Sequence, residues 1–454
     1  MAARRVLTRS ALAAAAYHTL IQDLRETAAY AALADAALPA LRSLDAEDAH
    51  ALGVRAAAAG LAPHDARADC ARRRARLGSR VAGLEFRSPV GLAAGFDKQA
   101  EAPDALLRAG FGAVEVGTVT PLPQPGNARP RMFRLPADGA VINRFGFNSD
   151  GARAVRARLV AHWLPLVRRG MPPGEPRARG APAGAPPRGL VGVNIGKNKD
   201  GDAAADYAAA ARDLAPFADY LTVNVSSPNT AGLRALQGRE QLRALIDAVR
   251  AARDALPWGL PRAAAARAPA PARGLDGDGA SDVAPDFAAD LVAGRAAPPP
   301  IFVKIAPDLT PSEVDDIVAV ALAGGVDALI VSNTTVSRAG AGASPPALLA
   351  EAGGLSGAPL FAPSTALLRA VYARTRGRIA LVGAGGVSSP AHALAKIKAG
   401  ANLVQLYTAL AYEGPTLVAR INDGLEALLA AEGFENVADA VGADVPPGPP
   451  GAAA

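Results

Sequence analysis

Eight short runs of strand-forming apolar residues are spaced along the chain, and most are followed by a stretch of helical period. They read PVGLAA from Pro89, AVEVG from Ala113, LVGVNI from Leu190, YLTVNV from Tyr220, IFVKI from Ile301, DALIVS from Asp327, IALVG from Ile379 and NLVQL from Asn402. The helical stretches cover 202–215, 239–256, 312–323, 363–374 and 391–399. Strands that are apolar on both faces and alternate with helices imply a parallel sheet covered by helices. Eight such units predict an α/β fold of the (β/α)8 barrel type, with a doubly wound open sheet as the alternative. The chain has 454 residues, half of them hydrophobic, which suffices for a barrel with additional segments.

A barrel places its chemistry at the C-terminal ends of its strands. Those ends read AGFDK, GTVT, NIGKNK, NVSSPNT, KIAPD, SNTT, GAGG and YTA. Seven asparagines, Asn143, Asn148, Asn194, Asn198, Asn224, Asn229 and Asn333, fall there or in the loop after the second strand. A single asparagine at a strand end is more often a turn residue. This many on one rim point to a binding site. Lysine is rare here: Lys98, Lys197, Lys199, Lys304, Lys396 and Lys398 are the only six among 48 basic residues. Arginine and lysine are not interchangeable at a site, so each retained ammonium calls for a reason.

Several chemistries are excluded. The five histidines are scattered and none sits at a strand end, so no metal centre is expected. Ser226 and Ser227 have no histidine partner in any rim motif, which argues against a Ser-His-Asp triad. The one cysteine, Cys70, rules out disulfides within the chain and cysteine-held clusters. The net charge of +6 comes from arginines spread throughout, which favours a solvated surface over a nucleic-acid footprint. The phosphate reading is better. Gly383 to Gly386 end the seventh strand before a helix that begins near Ser388–Pro390, Gly353 to Gly357 precede them, and Tyr407-Thr408 end the eighth strand. Backbone N–H groups there can hold a phosphate. With Lys98 and Lys304 in the site, a flavin mononucleotide (FMN) fits, and the amides suit a planar substrate with several carbonyl and N–H groups.

The motifs AAGFDK, NRFGFNSDG, GVNIGKNK, VNVSSPNT, IVSNTT, GGLSG, VGAGGV and LVQLYTAL together resemble dihydroorotate dehydrogenases of the quinone-dependent, membrane-associated class. The match runs from about Leu38 to the C-terminal helix, apart from two insertions. The resemblance implies FMN-dependent oxidation of dihydroorotate to orotate in pyrimidine synthesis, with a quinone as acceptor. It implies FMN contacts at Ala93, Ala94, Gly95, Phe96, Asp97, Thr118, Asn194, Asn224, Lys304, Ser332, Gly357, Gly386, Tyr407 and Thr408. Substrate contacts are implied at Lys98, Asn143, Arg144, Phe145, Gly146, Phe147, Asn224, Asn229, Asn333 and Thr334. Ser227 matches the catalytic base, and serine there, with Cys70 far from any motif, fits the quinone class. His50, Arg134 and Tyr407 match positions beside a quinone tunnel. Another FMN barrel acting on a different planar carbonyl substrate and a non-catalytic binding barrel are the rival readings.

The expected organisation is a targeting and membrane-associating segment over 1–37, a helical extension forming the tunnel over 38–80, the barrel over 81–440 and a disordered tail over 441–454. The Pro-, Ala- and Gly-rich stretches 171–189 and 261–300 are expected to be disordered insertions. The N-terminus carries Arg4, Arg5 and Arg9 with no acid before Asp23, as organelle-targeting segments do. Tyr17, Leu20, Ile21 and Leu24 would form one helical face, Pro39 would break the pattern, and a second helix would begin near Asp45. No apolar run is long enough to span a bilayer. The resemblance to a membrane-associated class then implies a location on the surface of a membrane: the mitochondrial inner membrane, or the bacterial inner membrane for a prokaryotic source.

Overall fold

The computed structural model describes residues 24–171, 173, 188–259, 283–295 and 297–446. Its strands in chain order are β1 (Ser79–Val81), β2 (Leu84–Phe86), β3 (Val90–Leu92), β4 (Ala113–Val119), β5 (Met132–Leu135), β6 (Ala140–Asn143), β7 (Leu190–Ile195), β8 (Tyr220–Asn224), β9 (Ile301–Ile305), β10 (Ala328–Val331), β11 (Gly354–Gly357), β12 (Ala380–Ala384) and β13 (Leu403–Leu406). The eight apolar runs read from the sequence are β3, β4, β7, β8, β9, β10, β12 and β13. They close into one parallel barrel, with β13 pairing β3 through Val404–Val90 and Leu406–Leu92. An open sheet has two edges and this one has none, so the doubly wound alternative falls.

The barrel strands are buried on both faces because helices cover the outside and side chains fill the inside. The helix Arg239–Asp254 shows how the cover is built: Leu242, Leu245, Ile246 and Val249 recur at helical spacing and are buried. Thr310 and Glu313 form a reciprocal capping box that starts the helix Pro311–Ala323. Inside, the Tyr220 and Phe302 rings stack at 4.5 Å. Gly192 leaves the room they need, since a Cβ there would stand 2.1 Å from the Tyr220 ring. The β1–β2 hairpin presses Val81, Leu84 and Phe86 onto this layer and stoppers the N-terminal mouth. Only the C-terminal mouth stays open. Beside it lies a second, antiparallel sheet of β5, β6 and β11, which sets Asn143 opposite both Met132 and Gly354.

The extension is helical, over Ala28–Ala36, Leu38–Ser43, Ala46–Ala58 and Ala71–Leu77. The helix expected near Asp45 begins there, with the Asp45 carboxylate accepting from the backbone N–H groups of Glu47 and Asp48. Pro39 does not simply break a helix. It sits in the first turn of Leu38–Ser43, where its missing N–H costs nothing.

Four boundaries need correction. Residues 24–37 are not a separate segment, because Asp35 accepts hydrogen bonds from Thr416 and Arg420 of the barrel. The insertion expected over 261–300 contains a helix, Val283–Gly294, whose Leu291 and Val292 are buried. Arg188, placed in the other insertion, pairs with Asp219 and lies over the Trp163 ring. The tail begins later than 441, since Gly442 N–H donates to the Ile397 carbonyl and Lys398 pairs with Asp444. Tyr17, Leu20, Ile21, the stretches 174–187 and 260–282 and the end from 447 lie outside the described residues.

Candidate active site

The open mouth of the barrel holds a cavity of about 320 Å³, lined from nearly every barrel strand and from the β5–β6–β11 sheet. Its polar wall is a net of amides. Asn333 Nδ2 donates to Ser226 Oγ at 3.0 Å and to Asn224 Oδ1 at 3.3 Å, and Asn224 Nδ2 donates to Thr118 Oγ1 at 2.9 Å. Asn229 Nδ2 donates to Asn143 Oδ1 at 3.1 Å, joining β8's loop to β6. Ser227 lies between these groups in VNVSSPNT, and its Oγ accepts the Asn229 N–H at 3.3 Å. Each amide is therefore held in one orientation by a neighbour.

Beneath the net is a charge the sequence reading did not pick out. Glu115 is fully buried in β4 and accepts from Asn194 Nδ2 at 2.8 Å, Gln405 Nε2 at 2.9 Å and Thr222 Oγ1 at 3.1 Å. Burial pushes the Lys304 ammonium down, and Glu115 is the countercharge that opposes this. A glutamate inside the apolar run AVEVG was the available signal, because a carboxylate in a strand buried on both faces must be paired. Gln405, Asn148 and Ser356 also line the cavity and were missing from the expected contacts.

Lys98 stands at the other side. Its Nζ donates to the Gly95 carbonyl at 2.8 Å and lies 4.0 Å from the centroid of the Phe145 ring. Burial pushes its pKa down to about 8, partly opposed by Glu47. At the far wall Gly357, Gly385 and Gly386 present backbone, and Thr408 Oγ1 donates to Ser356 Oγ at 2.8 Å. Gly386 has φ of 73°, and a Cβ there would meet the Phe361 backbone N at 2.6 Å. Only glycine lets this turn pass so close to the start of the helix Phe361–Thr375.

Of the expected contacts, Ala93, Ala94, Gly95, Lys98, Thr118, Asn143, Phe145, Gly146, Phe147, Asn224, Ser227, Asn229, Lys304, Ser332, Asn333, Thr334, Gly357, Gly386, Tyr407 and Thr408 line this one cavity. Six others do not. The Asp97 carboxylate turns inward and accepts the backbone N–H groups of Glu101 and Ala102, with burial raising its pKa. Asn194 lies behind Thr118, whose Oγ1 donates to it at 2.6 Å. Arg144 points outward to Glu351 and the Phe133 ring. Arg134 donates to the carbonyls of Arg42, Leu44 and Asp45, where it fixes the turn between two helices of the extension. Phe96 packs edge-on against both His50 and Tyr407. The His50 Nε2 lies 2.8 Å from the Phe96 carbonyl oxygen, so that nitrogen carries the proton. Burial and the Lys98 charge push its pKa down to about 3, which keeps the ring neutral. Among the described residues no three His, Cys, Asp or Glu side chains gather as a metal ion would require.

A family model described as dihydroorotate dehydrogenase matches residues 76–429. The chain belongs to the dihydroorotate dehydrogenase family. It is 49% identical over 409 residues to the mitochondrial dihydroorotate dehydrogenase (quinone) of Arabidopsis thaliana, covering 89% of this chain and 80% of that one. It is 48% identical to the mitochondrial protein of the same name from Mus musculus, covering 90% and 89%. The protein so named in Parvibaculum lavamentivorans is 47% identical, covering 90% and 98%. A crystal structure of ligand-free DHODH from Eimeria tenella superposes with a TM-score of 0.72 at 40% identity, covering 89% of this chain and all of that one. Within this family the eight-stranded barrel and its open mouth are the frame on which the residues above are set.

Proposed function

We propose that this chain oxidises dihydroorotate to orotate with bound FMN and passes the electrons to a quinone. The observation that carries the proposal is the shared cavity. Ser227, Lys98 and the amides Asn143, Asn224, Asn229 and Asn333 face the same space as Lys304 and the Gly385–Gly386 turn.

The residues present fit a flavin phosphate. The glycine turn would be filled by any Cβ, and backbone there faces the cavity beside a helix start. Among the described residues, three of the buried side-chain atoms without partners belong to residues that line the cavity: the Tyr407 hydroxyl, Gln405 Oε1 and Asn148 Oδ1. Gly357, Gly386 and Thr408 would hold the phosphate, and Lys304, Thr118 and Asn224 would hold the ring. Bound FMN would supply the two-electron acceptor for the hydride that leaves dihydroorotate.

The chain supplies the rest. The four asparagines can meet the carbonyl and N–H groups of a planar ring in pairs, and their mutual hydrogen bonds fix them before substrate arrives. The Lys98 ammonium offers a charge for a substrate carboxylate. Ser227 takes the proton from the carbon next to the one that loses hydride. His50, neutral and packed on Phe96 and Tyr407, belongs to the extension that covers this side of the site.

The extension also supports a membrane role. Among the described residues seven large hydrophobic side chains are exposed, and five of them, Leu24, Leu33, Leu44, Leu52 and Leu61, belong to it. No described helix is long and apolar enough to cross a membrane. The extension would lie on the surface of the membrane that holds the quinone, the mitochondrial inner membrane or its bacterial counterpart. Anaerobic addition of dihydroorotate to the purified protein tests the proposal. The flavin absorbance should bleach and a quinone should restore it. Purified protein without flavin, or flavin that dihydroorotate leaves oxidised, would overturn it.

A further inference from the structure

Lys396 is a buried lysine that the reaction does not use. It is fully buried on the helix Pro390–Lys398. Its Nζ donates to Ser364 Oγ at 2.8 Å and Thr365 Oγ1 at 3.0 Å, and lies 5.2 Å from the Phe361 ring centroid. Among the described residues no carboxylate joins it. Burial pushes its pKa down to about 7, with no acidic group opposing the shift. Nearly every buried ammonium has a countercharge, so this arrangement is expensive.

The neighbours make it more so. Phe361, Ser364 and Thr365 all belong to the start of the helix Phe361–Thr375, whose N-terminal end carries the positive pole of its dipole. A cation there is disfavoured twice, by burial and by the helix. His392, whose ring stacks on Phe361 at 4.2 Å, is also held neutral by burial and by Lys396, and it supplies no negative charge. The region is short of one anion. The cavity lies next door: Ser364 Oγ is 3.2 Å from the Gly385 carbonyl oxygen, and a Cβ on Gly383 would stand 3.0 Å from Lys396 Cδ. The cation, the helix start and the glycine turn therefore converge on one wall of the site.

We infer that Lys396 is a positioning residue for the charged end of the cofactor. Acting through Ser364 and the Gly385–Gly386 turn, its buried charge makes the cradle selective for a phosphate monoester over an uncharged alcohol at the same place. The inference rests on the reading of this cavity as a flavin mononucleotide site.

The test compares FMN with riboflavin, which has the same ring and chain without the phosphate. The full-length flavoprotein is loaded with either flavin and diluted, and the fluorescence of released flavin gives both affinities. Lys396→Met should weaken FMN about tenfold and leave riboflavin unchanged, and Lys396→Arg should restore most of the preference. Ser364→Ala, which leaves the lysine in place, should lower the same ratio. Equal loss of both flavins in Lys396→Met would mean a purely structural role and overturn the inference. So would an unchanged ratio in Ser364→Ala, which decides the matter if Lys396→Met does not fold. Wild-type protein that binds neither flavin would overturn the cofactor reading itself.

Discussion

Ser227 carries a hydroxyl beside amides and no base, so its value to the reaction lies in where it is held. Its Oγ is fixed by the Asn229 N–H at 3.3 Å, inside a net whose other members are themselves fixed. Ser227→Ala should leave FMN and orotate bound while slowing flavin reduction by dihydroorotate at least about 10²-fold, the low end for loss of a general base. Stopped-flow reduction at the wild-type rate would remove this role. Residues of this kind were legible in the sequence because they sit in dense polar motifs at the ends of apolar runs. Glu115 was not, because its neighbours in the chain are apolar and its partners Asn194, Thr222 and Gln405 come from three other strands. Asp97 and Arg144 stand apart from the cavity lining for the converse reason. Each lies inside a motif that touches the cavity, but its own side chain turns away to a local turn or to Glu351.

At the scale of elements, all eight barrel strands were legible because runs apolar on both faces have few other uses. The helix Val283–Gly294 was not. Phe287, Ala288, Leu291 and Val292 do form one helical face, but Pro, Gly and Ala on either side hide it in the composition. The sheet β5–β6–β11 was also missed. Its strands are four residues each, and β11 joins β6 from about 210 positions later in the chain, roughly what pairing of Gly354 with Asn143 requires. A deletion within 261–300 therefore divides into two cases. Removing 261–282 with a short linker should leave activity and melting temperature near wild type, because closing a loop costs little. Extending the cut through 295 removes buried Leu291 and Val292, each contributing about 1.5–3 kcal/mol, and should lower the melting temperature by several degrees in calorimetry. Equal melting temperatures for the two deletions would show that this helix stabilises nothing.

At the scale of the molecule, the docking of residues 24–37 against Thr416 and Arg420 divides the N-terminus into two parts. Removing 1–23 should weaken binding to anionic vesicles, because it takes away Arg4, Arg5 and Arg9, while the dihydroorotate half-reaction persists. Removing 1–37 should also slow reoxidation by a long-chain quinone and lower thermal stability. Vesicle flotation and flavin reoxidation in the two truncated proteins check this, and identical behaviour would show that the helix Ala28–Ala36 has no part in either.

The pairing of β13 with β3 has a consequence for how the protein is made. A ribosome delivers Val90 more than 300 residues before Val404, and until that last strand emerges the first one has a bare edge. Gly95 waits for Tyr407, and the end of β12 waits for β13, whose Gln405 pairs with Ala384. No product that stops short of β13, however well its early helices fold, can close the barrel and complete the proposed cofactor site. Bound flavin in a cell extract would therefore count finished chains, and a pool of cofactor would draw the final closure forward by binding only what is complete.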